Sequence, residues 1–253
     1  MSITIQRAQT ISNGVTLRGN NTQYVIPAAP DRLFELDAST YTSPLSTWQD
    51  ISGNGRHATL HGTVPYYTDS VGGYFGFIGQ GSNYIDIAGS ESGWGIADNT
   101  PPNATLSIWA NINQGGFYQH VAGWRGGYFH FYFLMLANQL SNITEARVVN
   151  SVGNYDINIP YDAYFNTWAY ITFVADSNAS GLSHLYINST QIGTVSIGSN
   201  NWVSTNIPFR IGSADGGDFP LIGYIGGVTA YSRALTQEEV TSEFNRTKTR
   251  YGV

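Results

Sequence analysis

The chain has 253 residues, of which 11 are Lys or Arg and 17 are Asp or Glu, so the net charge is −6 and only 11% of residues are charged; an ordinary soluble domain carries roughly 25%. With no cysteine and Lys248 as the single lysine, the composition excludes disulfide scaffolds, thiolate metal sites and cysteine nucleophiles, and it lacks the basic stripe that holds nucleic acid. No apolar run approaches the roughly 20 residues of a membrane-spanning helix, so no membrane insertion is expected.

In chain order, residues 1–30 read as an arm. Ile3 and Ile5 alternate with polar residues, and Ile11, Val15 and Leu17 flank an Asn13-Gly14 turn signal before Pro27 and Pro30 interrupt regular structure. The segment is too short for a core of its own, and unpaired strand edges recruit neighbouring chains. It is therefore expected to serve assembly or attachment, in a homo-oligomer (trimer or dimer). The N-terminus lacks the continuous apolar stretch of a signal peptide, so synthesis without a secretion tag is expected.

Residues 31–253 read as one domain. The 29 Gly, 17 Tyr, 12 Phe and 6 Trp favour strands and tight turns over helices. Short apolar-aromatic runs predict strands near 33–37, 58–60, 74–78, 84–87, 105–110, 120–124, 128–136 and 146–150. Further strands are predicted near 168–175, 183–187, 193–197, 209–211 and 224–231. Their spacing, without intervening helical periodicity, predicts an all-β, two-sheet antiparallel jelly-roll sandwich. Ile171, Phe173 and Ala175, alternating with Thr172 and Val174, predict a strand covered on both faces. One short C-terminal helix is predicted: Thr236-Gln237-Glu238-Glu239 is a capping box, with Val240 and Phe244 on one face.

Several stretches resemble laminin-G-like, concanavalin A-like domains. They are Leu33–Ser39 with Trp48–Ala58, Tyr84–Ile87, Thr105–Trp109, Thr167–Ile171 leading to Leu185–Asn188, Arg210–Gly212, Ile222–Ile225 and Tyr231–Thr236. The resemblance spans about residues 31–250 and implies the concanavalin A-like sandwich. Asn188 is followed by Ser189 where the usual turn has Gly, which predicts a widened hairpin. Gly226-Gly227 stand where many relatives carry acidic residues. Ile11–Gly19 resembles the glycine-punctuated leaders of some tailed-phage virion proteins.

Glycoside hydrolases of this fold need two carboxylates flanking the scissile bond. None of the six glutamates (35, 91, 145, 238, 239, 243) forms a Glu-x-Asp-x-Glu pattern, and only a spatial meeting of distant acids such as Glu145 and Asp156 would substitute for it. No catalysis is expected. His57 and His61 are four apart on a predicted strand, a spacing that a surface strand explains as well as zinc does. Asp50-x-Ser52-x-Asn54 and Asp215-Gly216-Gly217-Asp218 are calcium-loop candidates (Asp50, Asn54, Asp215, Asp218), but such residues also fold turns without an ion. No cofactor is expected otherwise. For glycan contact, Trp94, Tyr128, Tyr155 and Trp202 sit in loop-like contexts, where a ring can stack on a sugar. Trp109, Trp124 and Trp168 sit in strand contexts and read as core.

These readings favour a non-enzymatic structural protein on a virion surface, a capsid decoration or tail appendage. It would be fixed to a major capsid or tail protein and would display a lectin-like domain towards host-surface glycans. The alternatives are a stand-alone carbohydrate-binding module and a glycoside hydrolase of the same fold.

Overall fold

The computed structural model describes residues 15–19, 22–26, 31–89, 103–113, 118–124, 134–138, 143–149, 154–160, 162–176, 181–196 and 208–253. Its strands are β1 (Val15–Gly19), β2 (Thr22–Ile26), β3 (Arg32–Asp37), β4 (Thr47–Trp48), β5 (Ala58–His61), β6 (Tyr66–Asp69), β7 (Gly72–Ile78), β8 (Tyr84–Ile87), β9 (Ala104–Ile112) and β10 (Gln119–His120). There follow β11 (Ala122–Gly123), β12 (Leu134–Asn138), β13 (Ile143–Val149), β14 (Asn154–Pro160), β15 (Trp168–Ala175), β16 (Leu182–Ile187), β17 (Thr190–Ser196), β18 (Phe209–Ile211) and β19 (Ile222–Tyr231). The helix α1 (Gln237–Tyr251) closes the chain.

Two antiparallel sheets pack face to face. The larger has the order β17-β16-β15-β9-β19-β7-β6, and the smaller β11-β18-β8-β5-β4. A four-stranded meander, β10-β12-β13-β14, extends from β10. β19 is long enough to serve two partners on one edge: β7 pairs with residues 222–225 and β3 with 227–231, the register shifting at Gly226. This is the mostly-β jelly-roll sandwich with one C-terminal helix that the strand spacing predicts.

Period-two patterning builds the core. Leu106, Ile108, Ala110 and Ile112 on β9 and Ile171, Phe173 and Ala175 on β15 share one buried cluster with Phe34, Trp48, Phe75, Ile85, Ile87 and Phe209. Burying each large apolar side chain contributes roughly 1.5–3 kcal/mol. The residues of β15 after Trp168 are all buried, as a strand covered on both faces requires. Its second cover is α1, which lays Val240 against Val174, Tyr186, Tyr231 and Leu235, and Phe244 and Tyr251 against Trp109 and Tyr170. The capping box is formed: Thr236 Oγ1 accepts from the Glu239 N–H at 3.3 Å, and Glu239 Oε2 from the Thr236 N–H at 3.0 Å.

Charge is buried beneath the helix, but in pairs. Arg246 bridges Glu35 (2.8 Å) and Glu243 (2.7 Å), and Arg32 contacts the same two carboxylates. Burial pushes the neighbouring Tyr170 and Tyr231 hydroxyls well above the ordinary tyrosine range, with Glu243 adding to the shift, so both stay neutral. Gly226 makes room for the helix end, since a methyl there would meet Tyr251 at 2.5 Å.

Several sequence expectations need correction. The 187–190 hairpin is tight rather than widened: Ile187 pairs with Thr190, and Asn188 (φ 50°) and Ser189 (φ 63°) both take the left-handed conformation of a two-residue turn. Asn tolerates that region and Ser pays a modest cost, so Gly is not obligatory. In the arm, β1 and β2 pair antiparallel from Val15 opposite Ile26 to Gly19 opposite Thr22, and β2 runs beside α1, while Asn13-Gly14 lies outside the described residues. Val15 and Leu17 lie on β1 opposite Ile26 and Tyr24, whereas Ile3, Ile5 and Ile11 lie outside the described residues. Trp109 and Trp124 are core, but Trp168 is only half-buried because the first residue of β15 lies at the edge of the helix's cover, its ring packed against Tyr251.

Candidate functional site

Among the described residues no helix lies on the outer face of the smaller sheet, and there the strand alternation displays polar residues. On β8, Ile85 and Ile87 point inward while Tyr84 and Asp86 point outward. β5 pairs His61 with Tyr84 on one flank, and β18 pairs Arg210 with Asp86 on the other. The outward side chains meet as a stack: the His61 ring lies 4.4 Å from Tyr84 at 15°, and the Arg210 guanidinium lies 4.3 Å from the Tyr84 ring centre. Such cation–π contacts fix a ring at modest energetic gain. Acids hold both ends of the stack, His61 Nε2 meeting Asp86 Oδ1 at 2.9 Å and Arg210 meeting Asp215 Oδ1 at 3.2 Å.

Beside this stack opens a cleft of about 520 Å³, lined by Gly81, Ser82, Tyr84, Arg210, Asp215, Gly216 and Gly217. Its walls are two loops in direct backbone contact at Gly81 and Gly217, where neither glycine leaves room for a side chain. Arg210 also donates to the Ala214 carbonyl (3.0 Å), and Ser213 Oγ to the Gly81 carbonyl (3.3 Å), so the loops are tied to the sheet and to each other. The result is a preformed polar recess of small-ligand size. Its hydroxyl, carboxylate, guanidinium and phenol groups suit a polyhydroxylated ligand.

The structure brings few of the sequence-predicted site residues together. Asp215 lines the cleft, paired with Arg210. Asp50 lies elsewhere and is buried; its Oδ1 accepts from the Glu35 (3.0 Å) and Ser52 (2.9 Å) N–H groups, and its Oδ2 from the Arg56 N–H (2.9 Å). Burial alone would raise the Asp50 pKa, but these donors outweigh it and hold the carboxyl below its ordinary value. Asn54 donates to the Arg32 carbonyl at 2.6 Å. Asp218 takes part through its backbone carbonyl, which accepts from Ala214 at 2.8 Å. Among the described residues, no three His, Asp or Glu side chains gather as a metal-holding group. His57 precedes β5 and accepts from the Asp50 N–H at 3.0 Å, so it does not share a strand face with His61.

Trp94, Tyr128 and Trp202 lie outside the described residues. Tyr155, expected in a loop, is on β14 opposite Val148, because Tyr155, Ile157 and Ile159 keep a strand's period of two. On the same meander, Arg147 faces Asp156 and Glu145 faces Asn158, which puts Glu145 and Asp156 diagonally on adjacent strands. Sequence reading missed His61, Tyr84 and Arg210. The alternation Tyr84-Ile85-Asp86-Ile87 carried the signal, since a strand burying its isoleucines must display Tyr and Asp.

The sequence of residues 79–241 matches the profile of the concanavalin A-like lectin/glucanases superfamily, and the chain belongs to that superfamily. No curated protein matches it by sequence. Among solved structures it is similar to the binding domain of Paraclostridial Mosquitocidal Protein 1 (TM-score 0.65, 18% identity, covering 86% of this chain and 52% of that one). It is similar also to the receptor binding domain of botulinum neurotoxin C/D mosaic serotype (TM-score 0.64, 14% identity, 86% and 52%). A third is domain 4 of AbnA, a GH43 extracellular arabinanase from Geobacillus stearothermophilus solved with arabinotriose (TM-score 0.61, 19% identity, 83% and 97%). The chain thus spans about half the length of the two toxin binding domains and nearly all of the arabinanase domain.

Proposed function

We propose that this protein is a non-enzymatic, lectin-like binding domain whose cleft beside Tyr84 takes a glycan. The observation that carries this reading is the polar recess of about 520 Å³ beside Tyr84 on the outer face of the smaller sheet. The carboxylates in and beside the recess support binding over hydrolysis: Asp215, in its wall, is paired with Arg210, Asp86, on the neighbouring stack, is paired with His61, and the Asp215 side chain is 45% exposed, unlike the desolvated acid a glycosidase needs. Similarity to two toxin binding domains and to an arabinanase domain solved with arabinotriose adds support.

The wider setting in this proposal is a virion surface. The sandwich is a capsid decoration or tail appendage, and the arm of residues 1–30 joins it, as a trimer or dimer, to a major capsid or tail protein. The leader-like stretch Ile11–Gly19 and the hairpin β1–β2 motivate this setting. Deletion of residues 2–28 should leave a folded sandwich that no longer attaches; undiminished particle occupancy would refute the arm's role.

Binding is tested on an immobilised panel of bacterial-surface and plant glycans. Replacing Tyr84 by Ala should weaken the glycans held in the cleft about tenfold or more, the effect of losing roughly 1.4 kcal/mol or more. Unchanged binding in both Tyr84→Ala and Asp215→Ala would refute the cleft. Release of reducing ends that vanishes in Glu145→Gln or Asp156→Asn would instead favour the hydrolase reading.

A further inference from the structure

The opposite face of the sandwich carries an aromatic row that runs outward from the helix, Trp168 at one end packing against Tyr251 of α1 (4.9 Å between ring centres). Beyond the end of α1, the outer face of the large sheet displays a cross-strand row. Trp168 on β15 pairs with Asn111 on β9, Asn111 with Tyr224 on β19, and Tyr224 with Gly76 on β7. Tyr74, two residues from Gly76 on the same face, pairs with Tyr67 on β6. Tyr74 is the shared neighbour: its ring centre lies 5.6 Å from Trp168, 5.3 Å from Tyr224 and 5.6 Å from Tyr67. Tyr67 is 43% exposed, and Trp168, Tyr74 and Tyr224 are half-buried.

Gly76 explains the posture of these rings. A methyl group there would lie 2.7 Å from Tyr67 Cε2 and 3.6 Å from Tyr224 Cδ1, so the missing side chain lets both rings lie over the strand. Glycine inside a strand weakens it, and one that faces outward under two aromatic rings fits a surface shaped for contact. Polar groups accompany the rings. The Tyr74 hydroxyl donates to Asp69 Oδ2 at 3.0 Å, while Asn111 Oδ1, between Tyr224 and Trp168 in the row, is buried without a donor. Nearby charges are already engaged, Asp69 by Tyr74 and the Val71 N–H, and Arg250 by Asp37 and the Val71 and Gly73 carbonyls.

We propose that Trp168, Tyr224, Tyr74 and Tyr67, laid over Gly76, form a second saccharide platform that takes a neutral oligosaccharide chain across the strands. Rings supply stacking for the apolar faces of sugar units, and the phenol hydroxyls supply partners for sugar hydroxyls. With Asp69 and Arg250 already engaged, Arg250 is not left free to hold an acidic sugar. The platform is independent of the cleft and lies on the opposite face, so one domain would hold two glycans at once.

The test is affinity electrophoresis of the full chain through gels containing laminarin, xyloglucan, arabinan, galactomannan or soluble starch, in a Tyr84→Ala background that disables the cleft. At least one neutral polysaccharide should retard this variant. Adding Tyr224→Ala or Tyr74→Ala should weaken the retardation about tenfold. Gly76→Ala, which keeps every ring but displaces Tyr67, should weaken it as well and guards against misfolding of the ring variants; melting curves verify the fold of each. The platform is refuted if no neutral polysaccharide retards the Tyr84→Ala protein or if Tyr224→Ala and Gly76→Ala leave retardation unchanged. It is refuted equally if sedimentation shows a self-associated form that Tyr67→Ala dissociates, which would make the row a contact between copies.

Discussion

Asp50 offers a sharp separation of two roles that the sequence allows, an ion ligand or a turn organiser. In the structure its carboxylate accepts three backbone N–H groups, from Glu35, Ser52 and Arg56. Replacing Asp50 by Ala removes all three acceptors. The Glu35 N–H is buried, and leaving such a donor unsatisfied costs about 1–3 kcal/mol. Ser52 and Arg56 are half-exposed, so water replaces much of what they lose, and each contributes about 0.5–1 kcal/mol. The expected destabilisation is about 3 kcal/mol, a fall in Tm of roughly 6–12 °C for a domain of this size. Asp50→Asn, which keeps one carbonyl oxygen, should lose about half as much. Scanning calorimetry of wild type and both variants, with millimolar calcium or with a chelator, measures this directly. An unchanged Tm in Asp50→Ala would refute the turn assignment. So would a wild-type Tm that rises with calcium and loses that rise in the variant.

Glu243 lies buried between Arg32 and Arg246, so Glu243→Leu should cost about 3 kcal/mol by urea denaturation, since it leaves buried positive charge with fewer partners. Gly226→Ala should cost about 1–3 kcal/mol, because its new methyl meets the Tyr251 ring, and the same chain with Tyr251→Ala should lose most of that penalty. Acid should destabilise the fold in a defined window. Burial alone would raise the pKa of Asp37, Asp50 and Glu239, but donors from Ser39 and Arg250, from three backbone N–H groups, and from Arg233 and the Thr236 N–H hold all three below their ordinary values. The unfolded chain therefore takes up protons first as pH falls, and Tm should be flat above about pH 5 and drop from about pH 4 downward; a Tm that rises in that interval would contradict the hydrogen-bond assignments.

The jelly-roll was legible because its signals are local. Alternation along β8 and β15, turn residues between strands and the capping box at Thr236 each act within a few residues. The site was less legible because it depends on register. Nothing in the sequence pairs His61 with Tyr84 or sets Arg210 beside Asp86; those neighbours arise only when β5, β8 and β18 align. The half-burial of Trp168 was hidden for the same reason, since it depends on where the helix stops covering a strand more than 60 residues earlier in the chain. Loop-context aromatics were sought as sugar platforms, while the rings the fold actually gathers stand on strands with Gly76 beneath them.

The central claim, that the cleft beside Tyr84 holds a glycan, is tested most directly by hydrogen exchange of the full chain with and without a glycan selected from the panel. The account predicts slower exchange at residues 81–84 and 210–217, absent in Tyr84→Ala, with the helix face unchanged. Protection confined to other segments, or protection at 81–84 that persists in Tyr84→Ala, would contradict it.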